Sequence, residues 1–241
     1  CLIFMVIYLK RKKFFSLHIT WFDKADIFPL IGKAIPSIVQ QSIPAVSTTF
    51  LTALVSTYGI TAIAAYGITG KLETILFYPA MALNMVLTTI VGQCIGAGRK
   101  DEAIYYTKKL SWIAEIVVVI SCALVYVLAE GITQIGGMEP ESAKMCLFMM
   151  GWITVVKPIV WVLAFIPGYG MRAAGDVKFS MILSCISMWV FRVSLCVFLC
   201  RVMGFGPIAV WIGMFTDWTV RAIVYMFRFH SRKWLEHQVI H

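Results

Sequence analysis

Seven ionisable side chains stand inside long apolar stretches of this sequence: Lys71, Glu73, Glu115, Lys157, Arg192, Asp217 and Arg221. A charge at the centre of a bilayer costs about 2.5–3.5 kcal/mol even on gentle scales, so such residues face a partner or a water-filled cavity. Asp217 and Arg221 are at i and i+4 and can pair on one helix face. Lys157 is followed by Pro158, which removes a backbone donor and frees a carbonyl, and it is the leading candidate for a cavity-facing charge. Gln40 and Gln41, flanked by Pro36 and Pro44, place amides in a second proline-interrupted segment, and Asn84 lies in a third apolar run. Broken helices of this kind line substrate paths in transporters. The plainer readings are an ion pair that only supports the fold, and a kink whose amides bond between helices.

Enzyme chemistry has little to work with. There is no HExxH and no GxSxG, and the GxxxxGK[ST] loop that wraps phosphate is absent. Gly175-Asp176 is similar to the GxGD of intramembrane aspartyl proteases, but Ala173 takes the first glycine's place and a second suitably placed acid is missing. The seven cysteines form no CxxC pair and read as small apolar packing residues. The four histidines sit in loops or the tail, so neither a metal site nor a cofactor is expected. Gly92 and Gly96 form a small-xxx-small pair, the spacing that lets two membrane helices approach closely.

These residues need long apolar helices to hold them. Sixty per cent of the chain is hydrophobic and 14% is charged, where a soluble domain carries about a quarter. Uncharged runs extend from Ala34 to Gly70 and from Thr74 to Gly98, and a spanning helix needs roughly 20 residues. The pattern predicts an all-α polytopic membrane protein with six spans: about Leu30–Thr57, Ala62 to the Gly92–Gly98 corner, Leu110–Glu130, Ala143–Gly170, Phe179–Met203 and Ile208–Phe227. Gly131–Glu141 reads as a loop. Cys1–Leu9 is apolar but too short to span, and reads as the end of a helix belonging to an upstream part.

Net charge is +9. The cations gather in alternate loops, Lys10–Lys13, Arg99/Lys100, Arg172/Lys178 and Arg228–Lys233, as the positive-inside bias predicts for cytoplasmic loops. That explains the charge better than nucleic-acid binding does. It also puts the C-terminus in the cytoplasm of a cell whose plasma membrane holds the protein.

Four passages, in this order, resemble the C-terminal half of a multidrug and toxic compound extrusion (MATE) family transporter. They are Gly32-Lys33-Ala34-Ile35-Pro36-Ser37-Ile38-Val39-Gln40-Gln41-Ser42, then Ala64-Ala65-Tyr66-Gly67-Ile68, then Val91-Gly92-Gln93-Cys94-Ile95-Gly96-Ala97-Gly98-Arg99. The fourth is Met171-Arg172-Ala173-Ala174-Gly175-Asp176, with Asp217-Trp218, Arg221 and Arg228-Phe229 downstream. The resemblance implies one six-helix lobe of a twelve-helix protein, with a central cavity, sodium or proton coupling, and amphipathic organic cations as substrates. The missing N-terminal lobe and the lipid bilayer are then its partners. On this reading residues 1–9 end the first lobe, 10–29 form a basic linker and interfacial segment, 30–234 make the second lobe, and 235–241 are a cytoplasmic tail. Cys94 stands where family members often have Asn. The span from Pro36 to Thr57 lacks the coupling carboxylate that some members carry, which leaves Glu73, Asp217 or the first lobe to supply it. A lipid-linked oligosaccharide flippase of the same wider fold group is the alternative, with Lys71, Lys157 and Arg192 as its cations. A non-transporting membrane scaffold is the other.

Overall fold

The computed structural model describes residues 24–236, with the backbone alone for residues 24–34, 36, 37, 40 and 41. The expectations for Cys1–Leu9, for Lys10–Lys13 and for the tail beyond Glu236 lie outside the described residues. The chain divides into two compact units, Cys1–Ile35 and Pro36–His241. Of the first, the described part is helical backbone from Lys24 onward.

Helix α1 is Lys24–Ser56, α2 Ile60–Gly96, α3 Lys100–Ile135 and α4 Pro140–Ala173. The fifth crossing is composite: α5 (Val177–Ile186) runs through a π-helical stretch, Ser187–Ser194, into α6 (Leu195–Arg201). Helix α7 is Ile208–His230, and a short 3-10 turn, Lys233–Leu235, follows it. There is no strand among the described residues. Helices α2, α3, α4 and the composite Val177–Arg201 are each long and apolar enough to cross a bilayer. Helix α7 has 23 residues, a rise of about 35 Å, although Asp217 and Arg221 interrupt its apolar run. Large hydrophobic side chains such as Trp112, Val127 and Ile159 point outward, which is the surface lipid requires rather than water.

Two boundaries differ from the sequence expectation. The span expected over Leu110–Glu130 is part of a longer helix, since α3 begins at Lys100. The loop expected over Gly131–Glu141 shrinks to four residues, because α3 continues to Ile135 and Pro140 opens α4 at its first position, where a missing N–H costs nothing.

Helices α2 and α3 each bury one narrow seam. In α2 it runs through Ala65, Thr69, Leu72, Leu76, Ala80, Asn84, Leu87 and Val91; in α3 through Ala103, Thr107, Leu110, Ala114, Val118, Cys122, Val125 and Ala129. Steps of three and four keep these on one face, and along these faces α2, α3 and α4 pack on one another, with α4 also running along α7. Polar members of the seams, Asn84 in α2, Lys157 in α4 and Asp217 and Arg221 in α7, are buried by the same geometry.

The glycines sort into two uses. Gly98, Gly137 and Gly175 all have positive φ and close their helices in one way. The residue after each glycine donates its N–H five positions back: Arg99 to Cys94, Met138 to Thr133, and Asp176 to Met171. This is the Schellman arrangement, for which glycine is favoured. Close helix approach falls elsewhere. A Cβ on Gly213 would meet the Arg192 carbonyl oxygen at 2.9 Å, and one on Gly168 would meet the Tyr225 ring at 2.8 Å. The close approach expected at Gly92 and Gly96 is not found among the described residues: a Cβ on either meets none of their atoms within 4 Å. Both lie off the seam, one position from Val91 and two from Cys94, and Gln93 between them is exposed.

Gly213→Val should lower the thermal midpoint of the detergent-solubilised protein by several degrees, since backbone must move to admit the side chain. Gly92→Val should leave it within about a degree. Equal melting of the two variants would contradict this division of the glycines.

Candidate functional site

Within the unit Pro36–His241 the helices line a half-open cavity of about 1120 Å³. Helix α2 supplies Glu73, Phe77 and Asn84 to its wall, α4 supplies Trp161, Phe165, Tyr169 and Arg172, and the α5–α6 crossing supplies Ser184 and Arg192. Helix α7 supplies Trp218, Arg221 and Tyr225, and Pro44 and Thr48 of α1 close one side.

Two charge clusters organise it. In the first, Lys157 is fully buried and its Nζ donates to Glu73 Oε1 at 3.1 Å and to the Glu73 carbonyl at 3.4 Å. The same ammonium lies 5.5 Å from the centroid of the Trp161 ring, a cation–π contact. Lys157 therefore lies behind the wall, and its partner Glu73, one residue off the α2 seam, is the member that reaches the cavity.

The second cluster surrounds Asp217, which has no exposed surface. Arg221 Nε donates to Asp217 Oδ1 at 2.8 Å, and the Ser187 hydroxyl donates to the same oxygen. Arg192 Nη1 stands 3.9 Å from Asp217 Oδ2. Arg221 also reaches the hydroxyl and carbonyl of Ser184, each at 3.4 Å. The π-helical stretch carries both Ser187 and Arg192. One extra residue per turn shifts the face a helix presents, which is why such stretches recur at functional sites. Its close contact with α7 is possible because Gly213 has no side chain.

The remaining residues singled out by sequence are dispersed. Lys71 is exposed and outside the cavity wall. Asn84 is in the wall and buried; its Nδ2 meets Met81 Sδ at 3.8 Å, and its Oδ1 has no hydrogen-bond partner among the described residues. The side chains of Gln40 and Gln41 lie outside the described residues. Asp176, after the Gly175 turn, accepts from Arg228 Nε and Nη2, both at 2.9 Å, and ties the start of α5 to the end of α7. Sequence reading missed Ser184, Ser187 and the aromatic wall. A serine in an apolar run has no distinguishing pattern, and aromatics are abundant throughout.

The MatE family model matches residues 36–198. This chain belongs to the MatE family. It is 22% identical over 170 residues to the probable multidrug resistance protein NorM of Thermotoga maritima, an alignment covering 70% of this chain and 36% of that protein. Its fold is similar to that of a MATE transporter crystallised in the straight conformation, with a TM-score of 0.82 at 17% identity, over 96% of this chain and 54% of the other. The MATE transporter ClbM, solved in complex with Rb+, gives 0.79 at 17% identity, over 88% and 50%. The chain thus spans about half the length of the MatE structures it matches, as one lobe would.

Removing one partner of a buried pair strands the other charge, which costs about 3–5 kcal/mol. Glu73→Gln and Lys157→Met should each destabilise the protein clearly, and the double variant less than the sum of the two. Additive losses of folded protein in a double-mutant cycle would show that the pair is not coupled.

Proposed function

We propose that this chain is the C-terminal lobe of a secondary active antiporter that exports amphipathic organic compounds in exchange for sodium or protons. The single observation that carries this is a cavity of organic-molecule size, walled by aromatics and charges, inside a MatE lobe. Transport needs the other lobe. Substrate and coupling ion must favour different arrangements of the two lobes, because a ligand shifts a conformational equilibrium only by its differential affinity for the states. The multidrug resistance description of the NorM relative supports the cargo class, and the Rb+ complex of ClbM supports a monovalent cation as the coupling ion.

Glu73 and Asp217 both face cations of their own chain, at 3.1 Å and 2.8 Å. A coupling ion at either must compete with an internal lysine or arginine, so the coupling carboxylate falls to the N-terminal lobe. The protein resides in the plasma membrane with its C-terminus in the cytoplasm, a reading supported by the alternation of basic loops.

Proteoliposomes holding the full-length protein should move at least one of a panel of fluorescent amphipathic compounds, ethidium and fluorescein among them, when a sodium or proton gradient is imposed. Equal retention of every compound with and without protein would overturn the efflux reading. A reporter fused after Trp234 should be active only in the cytoplasm, and activity on the far side would reverse the orientation.

A further inference from the structure

The sign of the cavity's charge does not match the organic cations that family resemblance implies. Among the described residues three guanidiniums, Arg172, Arg192 and Arg221, stand in its wall against one carboxylate, Glu73. Glu73 is already held by Lys157 at 3.1 Å. Asp217 lies behind the wall and serves two arginines at once, so one positive charge is left over there.

The donors are also unequally used. Arg221 is committed to Asp217 Oδ1 and to Ser184. Arg192 is not: its Nε is buried with no hydrogen-bond partner among the described residues, and its Nη1 is 3.9 Å from Asp217 Oδ2, beyond hydrogen-bond range. Arg172 lies over the Tyr169 ring at 4.0 Å and pairs with no carboxylate among the described residues. A buried donor without an acceptor is costly, and a guanidinium's fork matches a carboxylate or phosphate. A cation in the same place would meet like charge in a medium that screens it poorly.

From this we infer that the cavity takes an amphipathic organic anion, its carboxylate or phosphate on Arg192 and its apolar body against Trp161, Phe165 and Trp218. The inference rests on the efflux reading and names the cargo of that same cavity. Arg192 is the leading contact because its Nε has no hydrogen-bond partner among the described residues and its Nη1 is held only loosely by Asp217, at 3.9 Å. Arg172 supplies a second charge toward the other end of the wall.

Full-length protein in detergent should bind fluorescein, read by fluorescence polarisation, and proteoliposomes should transport it in preference to ethidium. Arg192→Ala should weaken fluorescein binding at least tenfold, while Arg192→Lys, which keeps the charge, should recover part of the loss. Both variants are to be matched for monodisperse protein, and Arg172→Ala provides a second variant outside the Asp217 cluster. Displacement by benzoate would identify a soluble anion as the cargo, and displacement by farnesyl pyrophosphate alone a lipid-linked one. Transport of ethidium without fluorescein would overturn the anion site and leave the efflux reading standing. Fluorescein binding that depends on Arg192 without transport of any compound would keep the site and remove efflux. Fluorescein binding equal in wild type and in folded Arg192→Ala and Arg172→Ala would overturn the site.

Discussion

Asp217 sits in the middle of α7 with no exposed surface, in a helix bundle whose outside is apolar. Water is not at hand there to solvate a carboxylate, so the protein has to bring the counter-charges and donors itself. Arg221 comes from the same helix, one turn on; Ser187 and Arg192 come from the π-helical stretch of the neighbouring crossing. That stretch reaches α7 because Gly213 leaves room for the Arg192 carbonyl. The backbone irregularity, the missing Cβ and the buried acid therefore form one arrangement, and changing any member disturbs the other two.

The cavity follows from the same constraint. Helices α2, α3 and α4 close on one another along their buried seams, and the neighbouring faces of α2 and α4 are left toward the space beside α7. Lys157 is pinned behind Trp161 by Glu73, which fixes an aromatic surface on the cavity wall as well as neutralising a charge. Farther along, Arg172 stacks on Tyr169, and Asp176 and Arg228 tie the end of α7 to the turn after α4. Ion pairs thus brace the bundle both at its middle and at the end of α7.

Much of the helix pattern was legible because a bilayer restricts the choices. Long uncharged runs had to be spans, and the glycines at 98 and 175 marked true helix ends, since the left-handed closing conformation favours glycine. The pairing of Asp217 with Arg221 was legible too, being a matter of helical spacing alone. Gly92 and Gly96 carried the same kind of signal, yet among the described residues no neighbour stands against either. Spacing says which residues share a face, but not whether a neighbour lies on that face.

By itself, then, the sequence determined that this is a helical membrane protein of the MatE type, where its helices turn, and which charges need partners. Only the tertiary structure decided which partners they find. Helix α2 is apolar on every side, so nothing in its pattern said that Leu72 and Leu76 face inward and bring Glu73 to Lys157, 84 residues away. Nor does any residue pattern announce the π-helical register that turns Arg192 toward Asp217 and the cavity. Local spacing is written along one helix. The sign and shape of a cavity depend on how several helices rotate about their own axes, and that is set by packing among all of them at once.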